Sequence, residues 1–162
     1  MIAADDTVRI TNLRTDDESG LACCGLRRPA LAWRLEADRG SVRQLGFEVQ
    51  RCASGAFGPA VQTTGRIASP DPFGAPWPGP DLSSRELAWC RVRVWTDHGL
   101  TGWSAPLRIE GALFALDDWL AQPISPFGNA GQEQAGPVPL LRRAFRLAGK
   151  VTSARLFVSA LG

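Results

Sequence analysis

The strictest constraint on the fold is the ten-residue run Leu87 to Thr96, LAWCRVRVWT, which alternates without a break. Ala88, Cys90, Val92 and Val94 fall on one face, while Trp89, Arg91, Arg93 and Trp95 fall on the other. A period of two over ten residues is a strand with one face in a core, since a helix would scatter these side chains around its axis. The outer face pairs indole rings with guanidinium groups, which stack on one another and shield the rings from water. Asp97-His98-Gly99 follows as a turn, with Gly99 free to take a positive φ. The return strand runs over Leu100 to Ser104 and Leu107 to Glu110, and Pro106 between them requires an edge position or a bulge.

The chain before this hairpin repeats the signal in shorter pieces. Thr7 to Leu13 places Val8 and Ile10 on one face, and Ala30 to Ala37 places Leu31, Trp33 and Leu35 together. After a turn at Asp38 to Val42, Leu45 to Cys52 turns Leu45, Phe47 and Val49 inward and Glu48 and Gln50 outward, and these two strands form a plausible pair. Val61 to Ser69 is a weaker strand that contains Gly65. In Pro70 to Asp81, PDPFGAPWPGPD, seven of twelve residues are Pro or Gly, so a surface loop is expected there. Trp77 within it is either an exposed stacking platform or a cap on the edge of the fold. Seven short strands in about 105 residues, without a credible amphipathic helix, predict an all-β fibronectin type III or immunoglobulin-like sandwich over residues 1–110, with Trp33 as its central aromatic.

After Gly111 the pattern changes. Leu113 to Leu120 suits a single helical turn, and Ala121 to Pro139 is a nineteen-residue loop with four Pro and three Gly. Leu140 to Leu147 and Thr152 to Ala160 then read as strands with one apolar face each. Two or three strands cannot cover their own apolar face, so residues 111–162 read as the start of a second, incomplete β-sandwich domain, prone to association or instability after Glu110.

The charged residues point away from several functions. Eighteen basic and sixteen acidic residues are scattered along the chain without a basic stripe, so nucleic acid is not an expected partner. No run approaches the roughly 20 apolar residues of a membrane span, and the N-terminal residues MIAADDTVRIT lack the basic and apolar regions of a secretory signal, which makes the cytoplasm the expected location. Cys23, Cys24, Cys52 and Cys90 lack metal-ligand spacing and accompany a single His, so free thiols are expected, with Cys90 in the core. Asp117-Asp118 is the most tempting acidic pair, but neighbouring side chains diverge, and an Asp before Trp119 suits a turn cap. Asp16-Asp17-Glu18 reads as a solvated loop, and His98 sits in a turn with no nucleophile nearby. The glycines of Ala53 to Gly58 are followed by neither Lys-Ser/Thr nor a helix, so they do not form a phosphate loop. No catalytic residue, cofactor-binding residue or metal ligand is assigned, and no cofactor is expected.

Taken together, six stretches resemble the N-terminal part of bacterial α-L-rhamnosidases. LAWRLEADRGSVRQLGFEV, from Leu31 to Val49, resembles that family's opening strands, and CRVRVWTDHG from Cys90 with GWSAP from Gly102 is similar to the last hairpin of its N-terminal fibronectin-type domain. IEGALFALDDWLAQPI, from Ile109, is similar to the crossing into the next sandwich, and LLRRAFRL and VTSARLFVSALG resemble its first two strands. The chain departs from the family pattern at Cys90, where an aromatic is usual, at Pro123, which replaces a Trp, and in having no Tyr. The resemblance implies a glycoside hydrolase that removes terminal α-L-rhamnose with inversion, using an acidic pair in an α/α barrel well beyond these domains. An inverting pair needs two carboxyl groups about 6.5–9.5 Å apart, and nothing matching the barrel is present in this sequence. The chain is therefore expected to be inactive alone and to act through the downstream domains of its own polypeptide, with carbohydrate as a further candidate partner. The other reading is a free-standing binding module acting through exposed aromatics or an open sheet edge.

Overall fold

The structure is a computed structural model and describes residues 8–16, 23–124, 140–152 and 154–159. Among the described residues seven strands occur in order: β1 (Val8–Thr15), β2 (Leu31–Ala37), β3 (Gln44–Cys52), β4 (Gln62–Thr63), β5 (Leu87–Thr96), β6 (Gly99–Leu100) and β7 (Leu107–Glu110). β1 and β2 form an antiparallel two-stranded sheet, and β4-β3-β5-β6 form the larger one, with β7 also on β5. The fold is an all-β, immunoglobulin-like sandwich.

The core lies between the two sheets. β5 contributes Ala88, Cys90, Val92 and Val94, all fully buried, as its alternation requires. Leu31 and Trp33 of β2 face Phe47 and Val49 of β3, and the Trp33 and Phe47 rings meet edge to face at 5.1 Å. The Trp33 indole N–H donates to Gln44 Oε1 at 3.0 Å, and the Gln44 amide donates to the carbonyls of Ser69 and Asp71. Every polar atom of this buried pair therefore has a partner, which lets Gln44 occupy a core position.

β2 and β3 do not pair with each other. β2 runs beside β1, with Ile10 opposite Leu35, and β3 runs beside β5, with Phe47 opposite Val94. Alternation dictates which side chains enter the core but not which strand is the neighbour, and two inward faces meet as well across the sandwich as within a sheet. Leu45 is likewise 41% exposed, because the register slips between Gln44 and Gly46 and Gln44 takes the inward place. Gly46 is required at this slip: a Cβ there would stand 2.7 Å from the Ile67 carbonyl oxygen.

The proline-rich stretch is more than a surface loop. Leu31 and Ala75 exchange both backbone hydrogen bonds, and Trp33 N–H donates to the Pro72 carbonyl. A proline lacks a donor but keeps its acceptor and an extended φ, so the segment lies along the free edge of β2. Ala75, Trp77 and Leu82 fill the core from it.

Two predicted strands are shorter than expected. Beyond β4, Thr64 still exchanges hydrogen bonds with Val49, but the chain then passes Gly65 at φ 63° and rejoins β3 through the isolated Phe47–Ile67 bridge instead of a continuous ladder. Beyond β6, Val94 N–H and Val92 N–H donate to the side-chain oxygens of Thr101 and Ser104 instead of to a continuous ladder.

The chain divides into two units, Met1–Leu120 and Ala121–Gly162. The described residues of the second unit contain neither of the strands predicted at Leu140 to Leu147 and Thr152 to Ala160, and Leu140, Phe145 and Leu156 are more than three-quarters exposed. A strand with one apolar face is stable only beside hydrogen-bonding neighbours and under a covering layer, and the described residues of this unit supply neither. Residues 125–139, 153 and 160–162 lie outside the described residues.

Candidate functional site

Two built features stand out, one where the chain leaves the sandwich and one on the outer face of the larger sheet. The exit is fastened to the segment that precedes β5 and to the stretch between β1 and β2. Cys24 N–H donates to the Glu110 carbonyl at 2.7 Å, Gly111 N–H to Glu86 at 2.9 Å, and Ala112 N–H to Cys24 at 2.9 Å. Gly111 fits because a Cβ at that position would be 2.4 Å from the Ser83 carbonyl oxygen. The single turn Leu116–Asp118, which the sequence predicts within Leu113 to Leu120, follows.

Asp118 closes this turn. Its Oδ2 accepts from Ala115 N–H at 2.8 Å, from Phe114 N–H at 3.1 Å and from the Ser84 hydroxyl. The Ser84 hydrogen bond, followed by the Ala115 amide, holds the Asp118 carboxyl below the usual carboxylate range. Arg85 reaches across to the Asp118 carbonyl at 2.6 Å, and its own N–H bonds the carbonyls of Gly111 and Ala112. The Arg85 backbone sits at φ 64°, an unusual state for a side-chain-bearing residue, held by contacts on both sides. The guanidinium of Arg27 lies 4.6 Å over the Phe114 ring.

The outer face of the larger sheet carries the predicted Trp and Arg stack, extended by residues from three loops. Arg91 lies over Phe57 (4.2 Å) and Trp103 (4.4 Å), Arg93 over Trp103 (4.7 Å) and Trp95 (5.3 Å), and Arg66 over Trp95 (4.9 Å). Arg93 pairs with Glu48 at 2.6 Å. Burial pushes the Glu48 carboxyl up, but the Thr63 hydroxyl and Arg93 outweigh it and hold the group below its ordinary value. Arg91 donates through Nε and Nη2 to Gln50 Oε1 at 3.0 and 2.7 Å. Sugar binding by stacking needs a bare aromatic face, and here guanidinium groups already lie over Trp95 and Trp103.

The residues singled out in the sequence are dispersed. Trp77 is 4% exposed, its N–H bonds the Pro80 carbonyl at 2.8 Å, and Arg51 covers its ring at 4.8 Å, so it is a buried edge cap and not an exposed platform. A fully desolvated indole with its one donor satisfied is stable there, which the surrounding prolines disguise. Asp117 is exposed. His98 Nε2 lies 3.2 Å from the Ser41 carbonyl and 3.8 Å from Asp97. Asp16 caps Ala30 N–H at 2.9 Å, whereas Asp17 and Glu18 lie outside the described residues. The four thiols are free, Cys24 and Cys90 buried, and burial pushes Cys90 up to about 12. An open groove of about 340 Å³ lies between β2 and the proline-rich segment, lined by Trp33, Leu35, Val42 and Pro72 among others. Among the described residues no cluster of three metal-ligating side chains occurs, and no helix is long and apolar enough to cross a membrane.

The fold and these features define an immunoglobulin-like β-sandwich module whose most developed feature is a fastened exit. Its family follows from comparison: residues 10–115 match the Rha78A-like N-terminal immunoglobulin domain, and the chain belongs to that family. An α-L-rhamnosidase of Streptomyces avermitilis is 33% identical over 155 residues, which cover 82% of this chain and 15% of that protein. One from Formosa agariphila is 24% identical, covering 83% and 16%. Among solved structures, S. avermitilis α-L-rhamnosidase complexed with L-rhamnose superposes with a TM-score of 0.61 at 29% identity over 71% of this chain and 12% of that one. The Aspergillus terreus α-L-rhamnosidase gives 0.60 at 26% identity over 70% and 13%. The chain thus spans about 15% of the length of the curated relatives it matches.

Proposed function

We propose that this chain is the non-catalytic N-terminal portion of an α-L-rhamnosidase-type glycoside hydrolase, in which hydrolysis of terminal α-L-rhamnosides is carried out by a downstream catalytic barrel. The observation that carries this reading is the family match over residues 10–115, in a chain that spans about 15% of α-L-rhamnosidases. The Ser84–Asp118 fastening is consistent with a structural role for the chain. It makes the segment leaving the sandwich, up to Asp118, part of the module. The partners are then the later domains of the same polypeptide.

The DNA that follows codon 162 tests the proposal. A reading frame continuing for several hundred codons into an acidic-paired helical barrel is expected. A stop codon there in a complete genome overturns the reading and returns the free-standing binding module.

A further inference from the structure

We propose that the outer Trp and Arg face of the larger sheet is a docking surface for a carboxylate-bearing patch on a later domain of the same polypeptide. This rests on the reading of the chain as the N-terminal portion of a larger enzyme.

The charges on this face do not balance. Arg66, Arg91, Arg93 and Arg108 stand on it with Glu48 and Glu110. Glu48 is matched by Arg93 at 2.6 Å and Glu110 by Arg108 at 3.1 Å. Among the described residues, Arg91 instead meets the neutral amide of Gln50, and the contact of Arg66 is the Trp95 ring. Two guanidinium groups, one of them half-buried, therefore have no ion pair of their own among the described residues. Burial, joined by the neighbouring Arg93, lowers the Arg91 pKa, and the Glu48 carboxylate that Arg93 already pairs offsets this only in part.

The geometry is that of an ordered recognition surface. A flexible surface Arg loses side-chain freedom when it meets a partner, but Arg91 is already held by two rings and by two hydrogen bonds to one oxygen. Trp and Arg in rigid, partly desolvated settings are the residue types that dominate binding at interfaces. A planar guanidinium with free N–H donors selects a carboxylate in preference to a neutral group. Because guanidinium groups lie over the Trp95 and Trp103 rings, the face offers charge and ring edges, which fits an acidic protein surface better than a stacked sugar. The length of the relatives outside the matched part, about 85% of each, supplies ample surface for such a patch.

Arginine footprinting with phenylglyoxal, read by mass spectrometry, tests the proposal on the product of the full reading frame beside the 162-residue chain. Arg66 and Arg91 should react about tenfold more slowly in the full product, as for a face open roughly a tenth of the time. Arg28, exposed beside Asp81, should react equally in both. The variant Arg66→Glu, at an exposed position that does not threaten folding, should restore most of the Arg91 reactivity in the full product. Equal rates for Arg66 and Arg91 in the two proteins overturn the docking while leaving the proposed function intact. Protection that appears only on adding an acidic oligosaccharide such as hexagalacturonate assigns the face to soluble carbohydrate and also overturns it. A frame that stops at codon 162 is the separate outcome that removes the underlying reading.

Discussion

Replacing Arg51 by Met should unseat the corner where the proline-rich segment meets the larger sheet. The Arg51 side chain is 4% exposed and bonds Glu86, the Pro80 carbonyl at 2.9 Å and Gln62 Oε1 at 3.2 Å, while lying over the buried Trp77 ring. Methionine keeps much of the stem volume and deletes the charge. Removing one partner of a fully buried ion pair costs about 3–5 kcal/mol. Glu86 is 30% exposed and keeps the Ser83 N–H at 2.8 Å, so part of its charge stays solvated and the expected loss is about 2–4 kcal/mol. In urea, with a slope of about 1–3 kcal/mol/M, the unfolding midpoint should fall by roughly 1–2 M. The control is Arg28→Met, which breaks the Arg28–Asp81 pair at 3.4 Å with both side chains more than half exposed. That change should cost less than about 0.5 kcal/mol. Equal midpoints for the two variants would refute the role assigned to burial at this corner.

Two further outcomes follow from the thiols and from the exit. Cys90, fully buried with its thiol pushed up to about 12, should resist iodoacetamide at pH 8 in the folded protein while the half-buried Cys23 and Cys52 react; alkylation of Cys90 at their rate would contradict its place in the core. The Asp118 carboxyl is lowered in the folded state, so its support of the turn is complete above the unfolded carboxylate value of about 3.9 and is lost as pH falls through the lower folded value. The Ala115 and Phe114 amide resonances should therefore move below pH 4 and not between pH 5 and 7, and in Asp118→Asn that acid transition should vanish.

The sequence revealed most where a single strand decides its own geometry. β5 occupies the bounds its alternation defines, and its Trp and Arg side chains stack on the outer face as the pattern predicts. Trp33 is the central aromatic for the same reason. What one strand cannot encode is its neighbour, and so β2 and β3, each with an inward apolar face, face each other across the sandwich instead of pairing. Trp77 is the edge cap that the sequence offered beside an exposed platform; what composition hid is the pairing of its segment, since prolines suggest a surface loop, yet their carbonyls still accept, and Ala75 supplies the donor that ties the segment to β2. At the exit, the suitability of Asp118 as a cap is local and legible. Its hydroxyl partner, Ser84, lies 34 residues earlier and is set only by the fold. The stack on the outer face likewise draws Phe57, Arg66 and Trp103 from separate segments that no local pattern links to β5.

Release of rhamnose from an aryl α-L-rhamnoside, measured side by side for the 162-residue chain and for the product of the full reading frame, bears most directly on whether this domain is a non-catalytic part of a rhamnosidase. Saturable release by the full product and none above buffer by the chain is the predicted result. Turnover by the chain that is specific for the α-L-rhamnoside and persists through repurification would contradict it.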